Sequence, residues 1–223
     1  MAATTDPVDG PSRSVEIELK FDVDDDTPLP VWDDLPGVSS VGAGELRSLD
    51  ARYLDTADLA LARAGVALRR RTGGPDEGWH IKGPLVDGAR TELHWPLGSS
   101  VPGETDVVPE PLLEALGGMT DAAPAALRDL HPSARVRNER TAYALRDAAG
   151  GVVAEFVDDR VSARDEGSGT ERGWREWEFE LGSAAPTSEQ DRAALFAAVT
   201  AAAHAAGARA AASGSKLARA LGR

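Results

Sequence analysis

The sequence predicts an α+β fold in which about eight antiparallel strands close into a β-barrel, with helices inserted between strands and appended at the C-terminus. Three observations predict it. Segment after segment alternates apolar and charged residues with a period of two, the signature of strands with two unlike faces. Several connections carry hairpin chemistry: Gly-Gly-Pro-Asp-Glu at 73–77, Leu-Val-Asp-Gly at 85–88 and Ala-Ala-Gly-Gly at 148–151. Charged faces recur on strand after strand, yet no helical run is long enough to lay a conventional apolar layer over a flat sheet. A barrel with its polar face inward and its apolar face packed outward against helices satisfies both.

Residues 1–13 read as a disordered lead-in and 14–223 as one domain. From Ser14, apolar Val15, Ile17, Leu19 and Phe21 alternate with charged Glu16, Glu18, Lys20 and Asp22, a strand. The acidic, Pro-bearing stretch Asp24–Gly37 allows one helical turn at Val31–Leu35. Glu45–Asp55 is a second strand, and Ala57–Ala64 a short helix stopped by Gly65. Val66–Thr72, Gly78–Pro84 and Ala89–Leu97 are three more strands. The Pro-rich insert 98–133 carries two short helices, near Glu110–Leu116 and Ala123–Leu130. Ala134–Asp147 and Gly151–Arg164 pair as a hairpin, and Trp174–Leu181 is a further strand. Ser188–Ala206 is an Ala-rich helix capped by Thr187 or Ser188, and Ser213–Leu221 a last short helix.

Composition narrows the function. Of 223 residues, 42% are hydrophobic, so the chain is globular rather than disordered. No stretch approaches 18 consecutive apolar residues, so no membrane span is expected. The opening residues lack a basic region followed by an apolar one, so no signal peptide is expected. Without cysteine there are no disulfides and no thiolate chemistry, and a cytoplasmic location is expected. The formal net charge of −13 disfavours nucleic acid, which needs a basic footprint. An acidic protein can still enclose a basic cavity when its acids lie on the outer surface.

Three clusters carry chemistry. In Glu16-Ile17-Glu18-Leu19-Lys20 three charges share one strand face, about 6.5–7 Å apart. Glu176-Trp177-Glu178-Phe179-Glu180 repeats the pattern with aromatic residues on the opposite face. Either alone reads as a solvated strand face. Two facing each other in a barrel repel unless a cation sits between them, and carboxylate-only clusters select hard ions such as Mg²⁺ or Mn²⁺. None of the four histidines has a zinc-like spacing. The third cluster is basic: Arg69 and Arg71 on one strand face, Lys82 and Arg90 on the next two strands, Arg137 and Arg140 on another, and Lys216 near the end. Arginines on strands also keep sheet edges soluble. Sharing a face with the acids, they suit phosphate, which Arg grips through its planar fork and Lys as a point charge. Arg137 and Arg140 are three apart, so they face opposite sides of a strand unless a bulge intervenes.

In this order the motifs resemble the CYTH superfamily, the triphosphate tunnel metalloenzymes. Glu16-x-Glu18-x-Lys20 is similar to the family's N-terminal signature. Tyr53-Leu54-Asp55-Thr56, Leu68-Arg69-Arg70-Arg71, Ile81-Lys82, Arg90-Thr91-Glu92, Arg140, Glu155 with Asp159, Glu176-Trp177-Glu178 and Ser215-Lys216-Leu217 follow over roughly residues 14–221. The resemblance implies an eight-stranded antiparallel tunnel barrel that hydrolyses a phosphoanhydride of inorganic triphosphate or a small organic triphosphate. It implies that Glu16, Glu18, Glu176 and Glu178 hold one or two Mg²⁺ or Mn²⁺, with Glu92 a further candidate ligand. Asp159 is implied as a ligand or water positioner, with Asp158 and Glu155 as alternatives. Lys20, Arg69, Arg71, Lys82, Arg90, Arg137, Arg140 and Lys216 are implied to bind phosphates. Glu16, Glu18, Lys20 and Asp159 are the expected catalytic group. A polyphosphate-binding module and an adenylate cyclase of the same superfamily are the alternatives, the cyclase needing a nucleobase pocket that insert 98–133 could supply. Chains resembling this one often continue into a CHAD domain, so a fused or associated CHAD domain is a possible partner.

Overall fold

The computed structural model describes residues 10–32, 34–97 and 107–223. In chain order the elements are β1 (Ser12–Val23), β2 (Ser40–Val41), β3 (Glu45–Asp55), α1 (Ala60–Arg63), β4 (Ala67–Thr72), β5 (Gly78–Val86), β6 (Ala89–Pro96), α2 (Glu110–Gly117), α3 (Pro124–Leu127), β7 (His131–Arg146), β8 (Val152–Asp165), β9 (Glu171–Leu181), α4 (Glu189–Ala206), β10 (Arg209–Ala210) and α5 (Lys216–Ala220). Eight strands pair antiparallel around a closed circuit, β1-β6-β5-β4-β3-β7-β8-β9, and β9 returns to β1. The two-residue β2 and β10 add to β7 and β1. This is the antiparallel eight-stranded barrel that the alternation implies, and closure leaves its eight main strands without a free edge.

The pleat places charges inward and apolar side chains outward. Phe21, Phe156, Trp177 and Phe179 pack outside the wall against Leu195, Val199 and Ala203 of α4. Leu54, Leu68, Trp79, Ile81 and Trp95 pack outside β3–β6 against Leu112 and Leu116 of α2 and Leu127 of α3. The described part of insert 98–133 therefore covers the outer wall; residues 98–106 lie outside the described residues. A third cluster fills the barrel itself at one end, where Leu217 and Ala220 of α5 meet Ala51, Tyr53, Ala134, Val136, Val161 and Ala163. Among the described residues, no helix is long and apolar enough to cross a membrane.

Several boundaries differ from expectation. β1 begins at Ser12, so the last two residues assigned to the lead-in belong to the barrel; residues 1–9 lie outside the described residues. The helical turn expected at Val31–Leu35 does not form at residues 31, 32, 34 and 35, where Asp34 adopts φ 59° and Pro36 removes a donor; residue 33 lies outside the described residues. The helix expected at Ala57–Ala64 shrinks to α1. Buried Asp55 accepts from the amides of Thr56, Leu61 and Ala62 at 2.8–2.9 Å, and Leu59 turns left-handed at φ 57°. Asp55 thus acts as an N-terminal cap rather than a ligand. Ser188 caps α4 by accepting from Asp191 N. At the β5–β6 hairpin, Asp87 (φ 50°) and Gly88 (φ 76°) make the left-handed pair that a two-residue turn requires.

Candidate active site

The barrel encloses a cavity of about 370 Å³ lined by eight lysines and arginines and seven carboxylates. The lining is thus net positive inside a chain of net charge −13. The charges fall into three groups.

The first lies beside α5. Asp159 on β8 and Glu176 and Glu178 on β9 each offer one oxygen, and these lie within 4.8 Å of one another. β9 pairs with β1 so that Lys20 stands opposite Glu178 and Asp22 opposite Glu176; β8 sets Asp159 opposite both Glu176 and Arg140. Arg140 forks onto Asp159 at 2.8 and 2.7 Å and reaches Glu178 at 3.0 Å. Lys216 Nζ sits 2.9 Å from Asp159, 2.5 Å from Glu176 and 2.8 Å from Glu178. Lys20 bonds Glu178 and Glu18. Burial alone would raise Glu178, but Lys20, Lys216 and Arg140 hold it well below the usual carboxylate range. Burial likewise opposes the charge of Lys216, but the three acids raise its ammonium well above the ordinary lysine value. Glu178 and Lys216 line the cavity, whereas Asp159 and Glu176 are buried and contribute nothing to its wall.

The second group lies on β1, β5 and β6. Both oxygens of Glu16 accept from Lys82 at 2.7 Å. Glu92 lies 3.6 Å from Arg69, 3.7 Å from Lys82 and 2.8 Å from His80 Nδ1. His80 is buried, stacked on His94, with Nε2 3.0 Å from the Asp76 carbonyl, so both of its ring contacts are to acceptors. His80 braces Glu92 without lining the cavity itself. Burial pulls His80 down to about 3, and pushes Glu16 up to about 7 against the pull of Lys82.

The Glu16 shift has a testable consequence. A carboxyl near 7 in the folded chain and near 4.5 unfolded binds more protons when folded, so its contribution to stability falls as pH rises from about 4.5 to 7. Glu16→Gln removes that penalty. The variant is expected to be more stable than wild type at pH 8, with the gap closing at pH 4.5. Urea denaturation of the metal-free proteins at the two pH values checks this; equal stability at pH 8 contradicts it.

The third group lies toward the opposite end. Arg47 on β3 bonds Glu45 and, at 3.1 and 3.2 Å, Glu155. Arg71 pairs with Asp76 of the β4–β5 hairpin. Burial, with Arg69 and Arg140 nearby, lowers Arg71 to about 9. The buried Nε atoms of Arg69 and Arg71 have no hydrogen-bond partner, and Arg90 lines the cavity without an ion pair among the described residues.

Lys20, Arg69, Arg71, Lys82, Arg90, Arg140 and Lys216 thus all line the cavity, as do Glu16, Glu18, Glu92 and Glu178. Arg137 does not. No bulge interrupts β7 between it and Arg140, so it faces outward, is 60% exposed and lies 3.6 Å from Asp50. Asp158 faces outward too, where it pairs with Arg175 and accepts from the Trp177 indole. The four-acid cluster expected from Glu16, Glu18, Glu176 and Glu178 is divided: Glu16 joins Glu92 and Lys82, while Asp159 takes its place beside Glu176 and Glu178. Arg47, Tyr53 and Glu180 are wall residues absent from the expected set. Arg47, Leu49, Ala51 and Tyr53 share one face of β3, so extending the period of two along that strand finds Arg47 and Tyr53, and the same period along β9 finds Glu180.

The family model described as the CYTH domain matches residues 14–201. The chain belongs to the CYTH domain family. Two uncharacterized proteins from Mycobacterium tuberculosis strains are each 38% identical to it over 95% of its length. The chain spans 41% of the length of those relatives. Among solved structures, a Bacillus halodurans protein named as a candidate adenylate cyclase superposes with a TM-score of 0.57 at 18% identity, covering 93% of this chain and 97% of that one. A Hippeastrum protein, whose name gives it a dominant triphosphatase activity, aligns at a TM-score of 0.46 and 15% identity over 93% of this chain and 95% of that one. The first likeness shows that the CYTH barrel is shared.

Proposed function

We propose that this CYTH domain hydrolyses a phosphoanhydride bond of inorganic triphosphate or a small organic triphosphate, with Mg²⁺ or Mn²⁺ held by Asp159, Glu176 and Glu178. The observation that carries the reading is the basic wall's spare donors among the described residues: Arg90 without an ion pair, and Arg69 and Arg71 each with a buried Nε lacking an acceptor. Orphaned guanidinium donors are costly unless an oxyanion meets them, and phosphate oxygens suit their fork. The metal candidates fit a hard divalent ion on their donor chemistry, all carboxylate, and on Glu176 Oε1, which is buried without a hydrogen bond. A bound divalent ion supplies charge neutralisation at the transferring phosphoryl group.

The chain's own residues do the rest. Arg69, Arg71, Arg90 and Lys82 bind and align the phosphates, and the enclosed wall limits bulk water. Glu18 and Glu180, opposite one another on β1 and β9, lie outside the acid triad and line the cavity, where they accept hydrogen bonds from an attacking water. Tyr53 is the one aromatic residue of the described lining, and its hydroxyl points to Arg69 at 3.5 Å. Among the described residues no other ring lines the cavity for a nucleobase to stack on, which supports a substrate that is mostly phosphate and weighs against nucleotide cyclisation.

Phosphate release with Mg²⁺ or Mn²⁺, measured on inorganic triphosphate, thiamine triphosphate and ATP with cyclic AMP assayed in the same tubes, tests the reading. Inorganic triphosphate is expected to turn over best. Arg90→Ala is expected to lower kcat/KM by about 10–150-fold, the loss of a charged hydrogen bond, and Arg137→Ala to leave it unchanged. Tight triphosphate binding without phosphate release would make the domain a polyphosphate-binding module, and cyclic AMP formation would make it a cyclase.

A further inference from the structure

We infer that Lys216 is a displaceable counter-cation: its ammonium occupies the place of a divalent ion in the Asp159, Glu176 and Glu178 triad, and metal entry drives it out into the cavity toward the phosphates. The inference rests on the metal-dependent reading above and adds to it a coupling between metal loading and substrate binding.

Geometry comes first. Lys216 Nζ has three donors, and one carboxylate lies at 2.9, 2.5 and 2.8 Å in three different side chains. The approach to Glu176 Oε1 is a charge contact that makes no hydrogen bond, so that oxygen keeps a lone pair for a harder cation. Lys20 also reaches the oxygen of Glu178 that Lys216 contacts, so two ammoniums deliver to one oxygen the charge of a divalent ion.

Charge then decides that something must leave. The three acids touch four cations, Lys20, Arg140, Lys216 and Arg219, two of them shared with Glu18 and Asp22, so the cluster carries no excess negative charge as it stands. A divalent ion bonded about 2.0–2.1 Å from the same oxygens would lie against these cations at short range and low local dielectric. Arg140 is held by two bonds to Asp159 and a third to Glu178. Lys216 makes one hydrogen bond, to Glu178, from a single ammonium on a flexible four-carbon stem.

Access points the same way. Asp159 and Glu176 are buried behind the cavity wall, and Lys216 and Glu178 form that wall. The ammonium is therefore the cover over the two deeper ligands. The rest of α5 is anchored independently of it: Leu217 and Ala220 pack in the barrel end, Arg219 bonds Asp22, Arg172 bonds the Ala220 carbonyl and Ser215 caps the helix. The Lys216 side chain can swing without unseating the helix. A released ammonium adds one cation to the phosphate wall, so metal and triphosphate strengthen each other's binding, and linkage makes the effect reciprocal.

The test uses Mn²⁺ binding without substrate, followed by titration calorimetry and by the electron paramagnetic resonance signal of free Mn²⁺, in the full chain and in Lys216→Met. Removal of the competitor is expected to tighten Mn²⁺ binding at least 10-fold and to lower the melting temperature of the metal-free protein. Equal or weaker Mn²⁺ affinity in the variant overturns the displacement while leaving the metal reading standing; no Mn²⁺ binding by either protein overturns both. Should Lys216→Met fail to fold, ¹⁵N-lysine NMR of the wild-type chain decides. The slowly exchanging Lys216 ammonium of the metal-free protein is expected to lose its protection at saturating Mg²⁺, and its persistence there overturns the proposal.

Discussion

Glu178→Gln is expected to lower triphosphate turnover by about 10²–10³-fold, the scale on which loss of one preorganised electrostatic group acts. On the proposed reading, Glu178 lies where the metal ligands meet the phosphate wall. It contributes an oxygen to the acid triad, lines the cavity and is touched by Lys20, Lys216 and Arg140. Glutamine keeps the shape and removes the charge. The cations Lys20, Arg140, Lys216 and Arg219 then outnumber Asp159 and Glu176, so the local preference shifts from a divalent ion to an anion. Triphosphate affinity without metal is therefore expected to hold or rise while turnover falls. Phosphate release at saturating Mn²⁺, with triphosphate binding measured in chelator, separates the two effects. Normal turnover at saturating metal would remove Glu178 from the catalytic centre.

Arg140→Ala is expected to act on stability first. Asp159 is fully buried, and Arg140 is its register partner across β7 and β8, joined by two bonds at 2.8 and 2.7 Å. Removing one member of a buried pair costs about 3–5 kcal/mol because the other charge stays in low dielectric. The pH dependence follows from Asp159. Burial alone would raise it, but Lys216 and Arg140 hold it below the ordinary value of 3.8. In wild type that depression contributes stability above pH 3.8, lost as pH falls through the folded value. Without Arg140 the depression shrinks. The stability deficit is then full at neutral pH and narrows below pH 3.8. Urea denaturation at pH 7 and pH 3.5 checks both points; a deficit under about 1 kcal/mol at pH 7 would mean that Lys216 alone satisfies Asp159.

These expectations depend on a barrel most of whose elements are legible along the chain. The eight main strands follow from alternation, because a wall with unlike faces needs a residue pattern of period two. The two-residue β2 and β10 are too short to show that period. α1 is shorter than its composition suggests because Asp55 takes the amides that would have begun it earlier, a contact across several residues that local propensity does not encode. Arg137 and Arg140 look alike in sequence, and only the uninterrupted β7 ladder sends one outward and the other into the cavity.

The sequence by itself determined which side chains share a face: Glu16, Glu18 and Lys20 on one strand, Glu176, Glu178 and Glu180 on another, the arginines on the strands between. It determined membership of the CYTH family through the order of those motifs. Which acids meet one another was decided by the tertiary structure alone. In the closed barrel β1 passes from β6 to β9 along its length, so Glu16 is paired opposite Arg90, while Lys20 stands opposite Glu178. Asp159 reaches the acid triad because β8 lies beside β9 in a register that sets it opposite Glu176. Strand register in a closed barrel is fixed by the stagger of the whole circuit, and a period of two reads the same at every stagger that shifts by an even number of residues.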